Sequence, residues 1–221
     1  MSVLLLVEGI DDYHTIRNLV SARGLGTCDL ANRNSGPDFA FEVIEGYPSS
    51  IEASLLTILR SSSTSRFGII ADADANPAIS RWHSISGYLR NLEEKSTRLF
   101  EDLPQSPSES GLLLATNTGR IVGVWIWPDN VSPGDMETFA TSLVPDGDAN
   151  LKLAEEVLGT VHQPHYRDVH RSKALLHTWL AWQDPPGKPI GTAIQARILK
   201  HESPAAESFL AWLTKLKETN P

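Results

Sequence analysis

Cysteine is nearly absent. The 221 residues hold one, Cys28, which excludes an intramolecular disulfide and any multi-cysteine zinc site and fits a reducing, cytoplasmic setting. Long apolar runs are missing too. The N-terminal MSVLLLVEGIDD is apolar for only five residues, carries no basic flank and turns acidic at once, so neither a signal peptide nor a membrane span is expected and the stretch reads as a first strand. Positive charge is scarce: 19 Lys plus Arg face 27 Asp plus Glu, a net charge of -8. That balance weighs against a generic polyanion binder, whose affinity comes largely from cations on phosphates. The deficit is uneven, with 10 cationic against 20 acidic residues in 1–149 and 9 against 7 in 150–221. The remainder, 41% hydrophobic and 21% charged, is ordinary for a globular chain of a length that buries a core without staples.

Apolar runs alternate with helical patterns. Val3 to Val7 is a strand, and DDYHTIRNLVSARG follows with Ile16, Leu19 and Val20 at helical spacing and Gly24 and Gly26 as stop signals. FAFEVIEGY alternates like a second strand, and PSSIEASLLTILRSSS repeats Ile51, Leu55, Ile58 and Leu59 on one face, with Pro48 and Ser49 or Ser50 as start and cap candidates. RFGIIAD is the third strand, PAISRWHSISGYLRNLEE the third helix, and RIVGVWIWPDN the fourth strand, with GLLLATNTG placed to pair with it as a hairpin. EDLPQSPSESG reads as a loop. The order predicts an α/β fold with a doubly wound, mostly parallel sheet over residues 1–145. Residues 146–221 read as a helical extension packed on it, interrupted by a turn-rich DPPGKPIG.

Acidic residues gather where strands end. Asp72 and Asp74, one residue apart after FGIIA, leave the third strand on one face at its carboxyl end, the edge where open α/β sheets bind ligands. Two converging carboxylates stay ionised cheaply only with a cation between them, and Mg²⁺ is the usual resident; the alternative is that one of them caps the third helix. Glu8 follows the first strand directly and has no capping preference, whereas Asp11 and Asp12 can serve as an N-cap there. Asp129 follows the fourth strand, and Glu137 lies shortly beyond. This pattern reads as a metal site formed by several strand ends.

The motifs VLLLVEG-IDD and GIIADAD resemble the two signatures of the TOPRIM domain, the metal-binding α/β fold of topoisomerases, bacterial primases, ribosomal-RNA maturation nucleases and OLD-family nucleases. The resemblance covers roughly residues 1–145 and maps the family's glutamate onto Glu8 and its D-x-D onto Asp72 and Asp74. Glu8-x-x-x-Asp12 resembles the variant spacing of the OLD-type nucleases. PG-MET and SKALLHTWLAWQDPPGKPIGTAI are similar to a small stand-alone prokaryotic TOPRIM family catalogued without a known function. The chain departs from the characterised enzymes in having no tyrosine-bearing topoisomerase domain, primase zinc module or P-loop, so an ATPase would be a partner on another chain, or absent.

The resemblance implies Mg²⁺- or Mn²⁺-dependent phosphodiester cleavage of DNA or RNA, in a defence or repair assembly. Glu8, Asp12, Asp72, Asp74, Asp129 and Glu137 are the metal-ligand candidates; Glu8, Asp72 and Asp74 are also the catalytic set, with Lys173 as the cation near the phosphate. Lys173 belongs to the one clearly basic stretch, residues 160–200, where six Lys plus Arg face two Asp; the alternative is a solvated helix face. Two other classes stay open: a non-catalytic or regulatory module that binds a partner protein or phosphorylated ligand, and a phosphoryl- or nucleotidyl-transfer enzyme. His162, His165 and His170 read as a surface loop entering a helix. Trp125 and Trp127 share a strand face that packs under a helix or stacks on bases, and Trp179 falls on an apolar stripe that reads as core.

Overall fold

The structure is a computed structural model that describes residues 2–31, 36–44, 50–60, 64–94 and 99–220. Its strands are β1 (Val3–Val7), β2 (Cys28–Leu30), β3 (Phe39–Val43), β4 (Arg66–Asp72), β5 (Leu112–Ala115) and β6 (Ile121–Trp127). They form one six-stranded sheet in the order β2-β3-β1-β4-β6-β5, parallel throughout except for the antiparallel β5–β6 edge pair. The hairpin anticipated for GLLLATNTG is therefore present. β2 was not anticipated, because three half-buried residues are too few to show a period.

The chain leaves β1 through α1 (Ile10–Ala22) toward β2 and β3, then returns through α2 (Ile51–Arg60) to β4 on the other side of β1. The strand order thus reverses between β1 and β4, and a Rossmann-like sheet opens a crevice at such a point, outside the carboxyl ends of the strands. The proposed cap residues Pro48 and Ser49 lie outside the described residues. α3 (Ala78–Glu94) follows β4 directly.

Strand alternation sorts the core into two layers. Leu6, Phe67, Ile69, Val122, Val124 and Ile126 face α2 and α3, where Trp82, Ile85 and Leu89 fill the space. Val3, Leu5, Val7, Ile70, Trp125 and Trp127 face the other way. That second face is covered by α1 and by the helices after the sheet: α4 (Met136–Thr141), α6 (Arg171–Ala181), α7 (Ile190–Gln195) and α8 (Pro204–Glu218), with α5 (Ala149–Thr160) packed outside on α6. The residues after 145 share an apolar cluster with β1 and β6. α7 occupies the end of the segment expected to be a turn, because Ile190, Ala193 and Ile194 bury against α1. Among the described residues no helix is long and apolar enough to cross a membrane.

Trp125 and Trp127 are fully buried. Trp127 lies between Phe139 and Phe209, with ring centroids at 4.5 and 4.7 Å, so packing accounts for both tryptophans and neither is exposed to a base. Trp179 is likewise core, while Trp182 at the end of the same helix is exposed. Two glycines make room for α8. Gly68 and Gly123 are direct neighbours in register on β4 and β6, and a Cβ on Gly123 would stand 2.8 Å from Leu216 Cδ2 and 2.9 Å from Trp212 Cζ2. Gly123→Val is expected to lower unfolding free energy by about 2 kcal/mol, the scale of overpacking a fixed core. Urea denaturation would reveal it, and an unchanged midpoint would mean that α8 can shift away.

Candidate functional site

Glu8 leaves β1 and Asp72 ends β4, one on each side of the point where strand order reverses. They meet directly, the Asp72 N–H donating to Glu8 Oε1 at 3.0 Å across 64 residues of sequence. α1 begins one residue after Glu8, with Gly9 at its N-cap and Asp12 in its third position. Asp12 Oδ2 accepts the Gly9 N–H at 3.1 Å, and its Oδ1 accepts the indole N–H of Trp127 at 2.9 Å. The helix start thus falls to Gly9 and Asp12, and Asp11 is left exposed in the first turn.

The segment after β6 comes back to the same edge. Asp74 and Gly134 exchange two backbone hydrogen bonds at 2.8 and 2.7 Å, and Asp74 sits at φ 59°, a left-handed conformation that Asp tolerates better than most residues. This bridge presents the start of α4 to the site. Met136 N–H donates to Asp72 Oδ1 at 3.0 Å, and Asp135 caps the helix by accepting Thr138 N–H at 2.8 Å and the Ser172 hydroxyl. Glu137, buried in the first turn, pairs with Lys173 of α6 at 3.2 Å.

These groups line one cavity of about 400 Å³ that includes Glu8, Asp12, Asp72, Asp74, Asp135, Glu137 and Lys173. Of the seven residues expected from sequence, six are brought together. Asp129 is not: it does not line the cavity. β6 stops at Trp127, and the Asp129 carboxylate folds into its own turn, accepting Val131 N–H at 2.9 Å, Ser132 N–H at 2.7 Å and the Ser132 hydroxyl at 2.8 Å. Partial burial works to raise its pKa, but these donors hold it below the ordinary aspartate value.

Three residues of the site were missed. Asp135 reads in sequence as a helix cap, which it also is. Arg81 of α3 donates through Nε to the Asp72 carbonyl at 2.6 Å and pairs through Nη2 with Asp74; in sequence it is one polar position of an amphipathic helix. His170 lines the cavity as well, whereas His162 and His165 do not. The signal that could have found Asp135 is its place two residues before Glu137; for Arg81 the sequence carries none.

Glu8, Asp12 and Asp72 are the desolvated carboxylates of a site rich in acidic groups. Burial raises Glu8 to about 6, against the lowering effect of the Asp72 N–H and Arg81. Burial raises Asp12 to about 7, helped by Glu8 and Glu137 and opposed by the Trp127 and Gly9 donors. Asp72 stands well above its ordinary value, first through burial and then through Asp12, Glu8, Asp135 and Glu137. Burial pulls Lys173 down, but Glu137, Asp11 and Asp135 together hold its ammonium above the usual lysine value. Carboxylates that resist ionisation in one cleft are a mark of functional sites. Among the described residues, no group of three or more His, Cys, Asp or Glu side chains is placed to hold a metal ion as the site stands; Asp12, Asp72, Asp74 and Glu137 are each engaged by the donors named above.

Comparison with curated proteins and with solved structures gave no significant match. From residue 2 to residue 218 the chain matches one family, and it therefore belongs to the family described as protein of unknown function (DUF3226).

Proposed function

We propose that this chain is a divalent-metal-dependent nuclease that cleaves phosphodiester bonds of DNA or RNA with Mg²⁺ or Mn²⁺, in keeping with its TOPRIM-like motifs. The observation that carries the reading is the meeting of Glu8 and Asp72 at the reversal of strand order, in a cavity shared with Asp12, Asp74, Asp135 and Glu137. Their donor set is all carboxylate oxygen, the set that suits a hard cation. Their raised pKa values mean that the cavity holds more negative charge than its solvent relieves, which a cation would offset. Glu8, Asp12 and Asp72 would hold the ion, in exchange for protein donors that they now engage. Bound there, Mg²⁺ or Mn²⁺ would supply the charge neutralisation and water activation that phosphodiester hydrolysis needs. Lys173, whose side chain is 48% exposed at the cavity, would offer its ammonium to a phosphate oxygen. With a net charge of -8 the chain is expected to hold nucleic acid weakly by itself, and a partner subunit, an ATPase among the candidates, would add the missing grip in the cytoplasm.

One observation favours a second reading, a non-catalytic or regulatory module that binds a partner protein or phosphorylated ligand. The carboxylates are already engaged by protein donors, and no ready coordinating group is assembled among the described residues. The two separate in one assay. Purified protein with Mn²⁺ is expected to nick supercoiled plasmid or shorten end-labelled DNA or RNA, and Asp72→Asn, folded by circular dichroism, is expected to be inactive. Equal cleavage by both proteins would overturn the nuclease reading, and no cleavage by either favours the regulatory one.

A further inference from the structure

We infer that Arg81 withholds Asp74 from a divalent cation, so that the cavity takes its ion on Glu8, Asp12 and Asp72 while Asp74 serves as the partner of a guanidinium. The inference rests on the metal reading above and corrects what the D-x-D spacing alone would assign, two equivalent ligands.

The two aspartates of the motif differ in everything but type. Asp72 is the last residue of β4 and lies among the other carboxylates, with its Oδ1 on the Met136 N–H. Asp74 is fixed by its left-handed backbone and by the double bridge to Gly134, so only its side-chain torsions are free to redirect the carboxylate. Arg81 is equally fixed. It sits in the first turn of α3, between Ala78 and Trp82, both fully buried against the sheet, and its Nε is tied to the Asp72 carbonyl at 2.6 Å. Arg81 does not line the cavity. It acts through Asp74, as a positioning residue.

Exposure decides which ion pair can open. In the Lys173–Glu137 pair the cation is 48% exposed and the carboxylate 10%, so the ammonium can move into water and release Glu137 to the cavity. In the Arg81–Asp74 pair the order is reversed, with the cation 12% exposed and the carboxylate 48%. Drawing Asp74 away would cost a desolvated guanidinium the carboxylate it pairs with, a costly way to break an ion pair. A divalent ion approaching Asp74 would also meet the positive field of Arg81. Glu137 is therefore the reserve ligand that can be released, and Asp74 the one that cannot.

Calorimetric titration of the full chain with Mn²⁺ tests this without reference to activity. Asp74→Asn is expected to bind Mn²⁺ within about threefold of the wild-type affinity, and Asp72→Asn to lose more than about tenfold. Arg81→Gln, which frees Asp74 and removes the opposing charge, is expected to bind about tenfold tighter or to take up a second equivalent. A tenfold loss in Asp74→Asn, or unchanged or weaker binding in a folded Arg81→Gln, overturns the inference and leaves the metal reading standing. If Arg81→Gln does not fold, the Asp74→Asn comparison decides alone. A wild-type chain that takes up no Mn²⁺ at millimolar concentration sinks the metal reading and this inference together.

Discussion

Asp72→Asn is expected to reduce Mn²⁺-dependent cleavage by about 10²–10³-fold or more, while making the metal-free protein more stable at pH 8. The two effects have one cause. Asp72 is the carboxylate most surrounded by its own kind: Asp12, Glu8, Asp135 and Glu137 all act to hold its proton on, after burial has already done so. Asparagine keeps an oxygen for the Met136 N–H, which Asp72 now receives at 3.0 Å, removes a negative charge from the cavity and places an amide donor among acceptors. The gain in unfolding free energy should be on the order of 1–3 kcal/mol, the scale of relieving a buried and poorly compensated charge. It should shrink as pH falls and the native carboxyl takes up its proton. Urea denaturation in EDTA at pH 8 and at lower pH measures it, and the stability that Mn²⁺ adds should be smaller in the variant than in the wild type. A variant less stable than wild type at pH 8 would mean that Asp72 acts in folding chiefly as an acceptor, and would remove the case for a strained, ion-seeking site.

The parts of this site that were legible in the sequence are those that follow from strand periodicity. Glu8 and Asp72 each stand at the end of an apolar run, and a parallel sheet of alternating strands and helices brings such ends to one edge. That the two are adjacent depends on strand order, which places β4 beside β1 and which periodicity does not give. Asp129 satisfied the same rule and still went elsewhere, because two residues past the strand end a polar turn offers a carboxylate closer donors than the cavity does. Arg81 was illegible for the opposite reason: helical spacing marks it as a polar position, and only the bridge between Asp74 and Gly134 turns Asp74 toward it. The short elements β2 and α7 also escaped, one too brief for a period and the other formed by burial against α1 rather than by propensity.

Metal-free protein is expected to lose stability as pH rises from about 4 to 7, opposite to the acid denaturation usual for salt-bridged carboxylates. Asp12 moves from 3.8 in the open chain to about 7 in the fold, and Glu8 from 4.5 to about 6. A carboxyl whose folded pKa is raised binds its proton more tightly in the native state. Its contribution is therefore complete below the unfolded value and disappears as pH climbs through the folded one. Asp12 and Glu8 interact, and together they would account for a few kcal/mol, at roughly 1.4 kcal/mol for each unit of displacement. Asp38, held down to about 2 by Lys217 and Thr27, acts in the opposite sense, but its window lies below pH 4. Cys28, pushed up to about 12 by burial, stays protonated throughout. Urea denaturation in EDTA should thus give a lower unfolding free energy at pH 8 than at pH 5. A divalent ion that binds only the folded chain adds RT ln(1 + [M]/Kd), about 2.7 kcal/mol at a hundredfold excess over Kd, and it binds best where the carboxylates have lost their protons. Millimolar Mn²⁺ should therefore recover most of the loss at pH 8 and change little at pH 5. A profile in EDTA that is flat, or that rises with pH, would show that the cluster is already compensated from within and has no need of a cation.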